Sequence, residues 1–524
     1  MSALFHPYLC GRIAAEWLIN MKYESVSHAI EEFKKLQRVN AAYNHVLGVT
    51  YLDAATAAPK ESAAGRGQAM GILSEITYNL IANENNGVLL EYLENHVDEL
   101  DVQTKREVEV FRKEYDRIHR IPAHEYTDYT VLRNDAMYAW EEAKNSSDFS
   151  VFAPYLEKLV IYNQKFAGYY NPDMEPYDAL LNEFEEGLNT NTLDVFFAQL
   201  RQTIVPLLKK VTSADQIDDS FLFRHYPITQ QREFSDYLME VLELNRDVCA
   251  IAETEHPFTT NFNNKDVRIT THYYEDMVAS SMYSVIHEAG HAIYELGCDD
   301  RYNFSFLSGG VSMGIHESQS RFFENIIGRS YAFIQLIYPK MQEIFKEQLA
   351  DVTAEQFYRA VNKAQPSLIR TEADDLSYTL HVMVRYELEK QLIAGTLAVK
   401  DIPEHWNRLY KEYLGVDVPD DKHGCLQDSH WSDGMFGYFP SYALGSAYGP
   451  QMLHMMEQDI GSIDTLIAAG QIGKIKEWLR QHIHQHAAFI KPGDLFRSVC
   501  GQFDAKYYTD YLTKKYTKLY HLEQ

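Results

Sequence analysis

The chain has 524 residues, 46% of them hydrophobic and 13% aromatic, which suits a large packed core and excludes a disordered chain. Its 75 acidic against 48 basic residues give a formal charge of −27, which argues against nucleic acid or an anionic membrane surface as a main partner. Five scattered cysteines without a C-x-x-C pair read as reduced thiols of a cytoplasmic protein, not as a disulfide framework.

Taken in chain order, residues 1–21 read as an N-terminal extension. They lack a basic leader, and Pro7, Arg12 and Glu16 interrupt the apolar run, so neither a signal peptide nor a membrane anchor is expected. From residue 22 to 524 no repeat, low-complexity tract or Pro/Gly-rich linker divides the chain, and a mainly α, two-lobed single domain is expected. Apolar residues at three- and four-residue spacing predict helices over 27–47, 195–211 and 232–253, and again over 351–364, 376–395 and 503–520. KDVRITTHYYED (265–276) alternates and is rich in β-branched and aromatic residues, so it reads as a short strand ahead of the next helix. That helix includes SMYSVIHEAGHAIYELG (281–297). FLSGGVSMGI (306–315) reads as a loop leading into the helix HESQSRFFENIIGR (316–329). Two further stretches, 415–434 and 435–450, cluster glycine, proline and aromatics and read as long irregular segments, which often carry sites.

H-E-A-G-H places His287 and His291 four residues apart, on one face of a helix, where both imidazoles can reach one ion. Glu288 lies about 100° round the helix from His287, placed to meet a water at that ion without being a ligand. The competing reading is a buried helix with two hydrogen-bonded histidines. A catalytic zinc needs a third protein ligand and an open position. Glu317, early in the next predicted helix, completes a His₂Glu set. His316 is its rival, and since neighbours on a helix diverge by about 100°, only one of the two is expected to reach the ion. QHIHQH (481–486) offers His482 and His486 at the same spacing, but without the intervening Glu or a partner set it reads as a solvated helix face.

HPF (256–258), DVRIT (266–270), HEAGH (287–291), HES (316–318), IRTEAD (369–374) and GCLQDSHW (424–431) occur in this order. GYFPSYALG (437–445) and KYTKLY (515–520) follow. Together they resemble the motif set of the M32 metallocarboxypeptidases, the carboxypeptidase Taq family, over roughly residues 22 to 524. The resemblance implies an almost wholly helical zinc-peptidase fold with two lobes, a deep groove, a helical lid region over about 22–120, and a homodimer. It implies metal-dependent release of C-terminal residues from peptides with broad specificity. One divalent ion per chain, zinc or cobalt, would be held by His287, His291 and Glu317, with Glu288 as base. YLDAATAAPKESAAGR (51–66) departs from the family's Trp-Asp and Met-Pro pairs, which bears on packing there and leaves the chemistry alone.

Peptide hydrolysis also needs donors for the tetrahedral oxyanion. Distant relatives among zinc-helix peptidases place a His and a Tyr on loops of this kind, which makes His430 and Tyr438 the candidates and Tyr442 a weaker rival. A C-terminal carboxylate needs a cation, and a guanidinium fork suits it. Arg268 and Arg370 lie within the family motifs; the plainer reading of each is a salt bridge, to Asp266 or Asp374. His256 either lines the groove or caps the turn before Pro257. Two other functions compete: a helical zinc endo-oligopeptidase without the arginine clamp, and a non-catalytic peptide-binding protein with a retained metal site. Glu288 argues against the second, because binding alone needs no general base.

Overall fold

In the computed structural model, which describes residues 23–522, helices dominate and one three-stranded sheet is present among the described residues. The extension expected over 1–21, with Cys10, lies outside the described residues. The chain divides into two compact units, 23–120 with 302–307, and 121–301 with 308–522.

The first unit is built from helices Val26–Thr56, Ala63–Ile81, Glu84–Asn95 and Val102–His119. Three start on side-chain caps, with Ser25, Asn83 and Asp101 accepting from backbone N–H groups of the first turn. Phe33, Leu90 and Phe111 are fully buried between them, and Phe306 stacks on Phe111 at 4.5 Å.

In the second unit the expected strand is β3 (Asp266–Thr271), central between β1 (Cys249–Glu253), which runs parallel to it, and antiparallel β2 (Thr259–Asn263). The helix predicted over 232–253 is shorter. It runs Ile228–Val241, the chain turns at Glu243 with a positive φ of 52°, and Ala250 to Ala252 pair with Arg268 to Thr270. Pairing with β3 decides this segment, since local pattern is weak for a strand of five residues.

The helices predicted over 281–297, 351–364, 376–395 and 503–520 appear as Val278–Gly297, Ala354–Val361, Tyr378–Ile393 and Lys506–Leu519. The helix expected over 316–329 begins earlier, at Met313 behind the Ser312 cap, and widens into a π-helical stretch over Phe322–Gly328. The segment 435–450 is mostly not irregular: Phe439–Ile460 is a helix, with Pro440 in its first turn and Pro450 inside it. Its glycines read as loop signals in the sequence, yet they serve close packing between helices. Among the described residues no helix is long and apolar enough to cross a membrane, and Cys249, Cys298, Cys425 and Cys500 are buried free thiols.

Candidate active site

Three helices of the second unit meet around Glu317. Helix Val278–Gly297 crosses Met313–Arg321 at Gly290, where a Cβ would stand 2.6 Å from Ser320 Cα and 2.7 Å from the Gln319 carbonyl oxygen. On the other side Gly445 of Phe439–Ile460 leaves room for Glu317 itself, whose Cγ would be 2.5 Å from an added Cβ. Two glycines, far apart in sequence, thus set how closely the backbones approach. Glu185 secures the start of the middle helix by accepting from the Gly314 N–H at 2.9 Å. Burial raises that carboxyl to about 7.

The donor atoms of His287, His291 and Glu317 all lie within 4.8 Å of one another. Glu317 Oε2 stands 3.7 Å from His287 Nε2 and 3.6 Å from His291 Nε2. A tetrahedral ion bound at about 2.0–2.1 Å wants ligand atoms about 3.3 Å apart, so these separations close with a small inward shift. The remaining nitrogens and oxygen of the trio are already engaged. His287 Nδ1 contacts Glu324 Oε2 at 2.9 Å, His291 Nδ1 contacts His316 Nδ1 at 2.6 Å, and Glu317 Oε1 accepts from Arg321 Nε at 2.9 Å. Both Nε2 atoms and Oε2, which also accepts from the Ser320 hydroxyl at 3.1 Å, converge as a donor set that suits a divalent cation. Electrostatics differ between the two rings. Burial opposes charge on His287, but Glu317 and Glu324 outweigh it and raise its pKa to about 9, whereas burial and the positive groups of His316 and Arg321 hold His291 well below its ordinary value and keep it neutral.

His316 is therefore placed behind His291. Its Nε2 lies 2.7 Å from Glu295 Oε1, and Glu295 also accepts from the Gly310 N–H and from Asn261 Nδ2. Such a chain orients the His291 imidazole and fixes its tautomer. Glu324 does the same for His287 while held by Arg329 at 3.2 Å and Arg321 at 3.6 Å. Glu288 is buried beside this group, with Oε2 accepting from the Thr259 hydroxyl of β2 at 2.6 Å. Burial raises its carboxyl above the ordinary value, against the pull of His287 and Thr259.

His430, Tyr438 and Tyr442 form one aromatic group. His430 Nε2 lies 3.3 Å from the Tyr442 hydroxyl, the rings of His430 and Tyr438 are 5.6 Å apart, and the charge of Glu317 bears on the Tyr438 phenol. Burial, with Arg370 and Arg385 nearby, lowers His430 to about 4, so its ring is neutral at ordinary pH. Arg370 is buried against this group, its charge 5.0 Å from the Tyr442 ring centre. It binds Asp428 at 2.9 Å, not Asp374, and donates to the Tyr378 hydroxyl at 3.1 Å. Arg268 is paired through two bonds to Asp266, at 2.8 and 2.9 Å, and lies over Phe262. His256 is exposed in the turn between β1 and β2, where its carbonyl accepts from Thr254 Oγ1.

Glu295, Glu324 and Thr259 were not singled out from the sequence. They stand one to seven residues from a motif or on the neighbouring strand, and nothing local marks them. In QHIHQH the buried histidine is the middle one: His484 reaches Gln319 at 2.8 Å, on the helix of Glu317, and His482 meets the Trp478 carbonyl and ring of its own turn.

The family profile described as carboxypeptidase Taq (M32) metallopeptidase matches residues 32–516. Carboxypeptidase 1 of Bacillus subtilis is 42% identical over 492 residues, covering 94% of this chain and 98% of that one. Thermostable carboxypeptidase 1 of Thermus thermophilus is 34% identical, covering 94% and 99%. The crystal structure of an M32 carboxypeptidase from Deinococcus radiodurans superposes with a TM-score of 0.91 at 34% identity, covering 94% of this chain and all of that one (100%).

Proposed function

The chain belongs to the carboxypeptidase Taq (M32) metallopeptidase family, and from that premise we propose how its residues divide the work of a metal-dependent carboxypeptidase. His287, His291 and Glu317 hold one divalent ion, with zinc the best fit to two imidazoles and a carboxylate and cobalt a workable substitute. The observation that carries this reading is the convergence of three ligand atoms whose partner atoms on the same side chains are already bonded.

When bound, the ion supplies Lewis acidity and lowers the pKa of a coordinated water towards about 7. Glu288 takes a proton from the attacking water and returns it to the departing amine nitrogen. Its burial suits the role, because a carboxyl raised above its ordinary value is a stronger base for that proton. Tyr438 and His430 donate to the carbonyl oxygen as it gains charge, and Tyr442, bonded to His430, orients that pair. Arg370 and Arg268 are the proposed cations for the free carboxylate of the peptide. Arg370 is the better placed, since Asp428 holds its fork beside the aromatic group. A homodimer in the cytoplasm completes the proposal, supported by the family and by the buried free thiols.

The test is a mixed pool of peptides incubated with zinc-loaded protein and read by mass spectrometry. Free-acid peptides are expected to shorten only from the C-terminus, and C-terminally amidated copies are expected to survive. Cleavage of amidated peptides at internal bonds would instead mark an endo-oligopeptidase.

A further inference from the structure

Helix Tyr378–Ile393 carries two charged side chains one turn apart, Arg385 and Glu389, both fully buried. Arg385 faces an anion, with Asp428 Oδ2 at 2.7 Å, and also holds Gln427 Oε1 at 2.7 Å. Glu389 instead receives three neutral donors. Trp431 Nε1 donates to Oε1 at 2.8 Å, while the Gly437 N–H at 2.9 Å and the Tyr177 hydroxyl at 2.8 Å both donate to Oε2. Trp431 directly follows His430, and Gly437 directly precedes Tyr438.

We propose that Glu389 is a positioning residue for peptide hydrolysis, fixing His430 through Trp431 with one oxygen and Tyr438 through Gly437 with the other. This rests on the reading of His430 and Tyr438 as donors to the oxyanion. Both anchors are stiff. The Trp431 indole stacks on Phe436 and stands edge-on to Trp406. Gly437 has φ of +86°, and a Cβ there would lie 2.9 Å from the backbone carbon of Leu180, so only glycine fits between Glu389 and helix Pro176–Phe184. That helix also delivers Tyr177 to the same carboxylate.

Burial raises the Glu389 carboxyl to about 7, and the three donors around it favour the ionised form, which is acceptor-only. In Glu389→Gln the shape is kept, but the amide nitrogen must face either the indole N–H or the Gly437 N–H, and neither can accept. One anchor is lost. A shift of about 1 Å at a reacting group costs on the order of 100-fold in rate. The competing role is general support of the buried core, and it predicts a different pattern of kinetics.

The experiment measures kcat, KM and bound zinc for wild type, Glu389→Gln, Tyr438→Phe, His430→Ala, the pair His430→Ala/Tyr438→Phe, and that pair with Glu389→Gln added. Glu389→Gln is expected to lower kcat about 100-fold with KM and zinc content unchanged. On the His430→Ala/Tyr438→Phe background the same change is expected to cost far less, because both donors it positions are gone. Independent effects multiply to within about twofold, so a full 100-fold loss in both backgrounds overturns the positioning role. So does an unaltered kcat for Glu389→Gln while Tyr438→Phe and His430→Ala are impaired. If those two variants keep the wild-type kcat, the donor assignment fails and the inference falls with it. Should Glu389→Gln not fold, Trp431→Phe removes the indole donor on the His430 side and must show a loss that does not multiply with that of His430→Ala.

Discussion

Gly290→Ala adds one methyl group inside the HEAGH motif, and two effects oppose each other. In a helix interior alanine is favoured over glycine by about 1 kcal/mol. The new Cβ, however, would stand 2.6 Å from Ser320 Cα, where carbon atoms sit comfortably at about 3.5–4.0 Å. The neighbour is backbone, so the two helices must separate by about 1 Å, and overpacking of this kind costs about 1–3 kcal/mol. Overpacking wins, and stability should fall by up to about 2 kcal/mol. The larger effect is on the ion. Glu317 rides on the displaced helix, three residues before Ser320, and its Oε2 now lies 3.6 to 3.7 Å from the two histidine nitrogens. Metal sites tolerate about 0.2 Å in ligand distance, so a shift near 1 Å is about five times too large. Zinc affinity, measured by competition with a chromophoric chelator, should drop about 100-fold or more, and kcat should fall by about 100-fold with it. Gly168→Ala is the control: that glycine lies in helix Phe149–Tyr170 with nothing within 4 Å of an added Cβ, so the change should be neutral or stabilising. Wild-type zinc affinity in Gly290→Ala would refute the claim that this crossing sets the ligand geometry.

His316→Ala should weaken zinc binding by about 10–100-fold while the fold stays intact, because His291 loses the partner that orients it; unchanged affinity would remove His316 from the support of the ligand. Glu288→Gln should bind one ion per chain and lose about 10²–10⁴ in kcat, and hydrolysis at the wild-type rate would exclude it as the base. Glu185 has a folded pKa of about 7, raised by burial from an ordinary 4.5. The folded state therefore binds its proton more tightly than the unfolded chain does. Its contribution is fully present below about pH 4.5 and is lost as pH rises through about 7, a change on the order of 3 kcal/mol. Glu185→Gln should thus gain stability relative to wild type between about pH 5 and about pH 8 in urea unfolding, and a pH-independent difference would show that the carboxyl does not titrate in this way.

Much of the site could be read along the chain because helical geometry is local. A four-residue step brings His287 and His291 to one face whatever surrounds them, and apolar neighbours at the same period mark the helix as buried. The strand at 266–271 was legible for a similar reason, through its alternation. Where local and distant requirements differed, the distant ones prevailed. CAIAE became a strand because β3 offers it a partner, and GYFPSYALG runs into a helix whose Gly445 meets Glu317, more than a hundred residues away in sequence.

The sequence by itself determined which groups each helix face can offer, since the 3.6-residue period and the chemistry of His and Glu travel with the chain. It favours Glu317 over its neighbour His316 as the third ligand. Only the tertiary structure sets the depth at which two helices cross at Gly290 and the side from which Glu295 takes His316. The same holds for Glu324 behind His287 and for Glu389 behind Trp431 and Gly437. Those partners meet through close packing of separate elements, and no local periodicity encodes which buried carboxylate will face which donor.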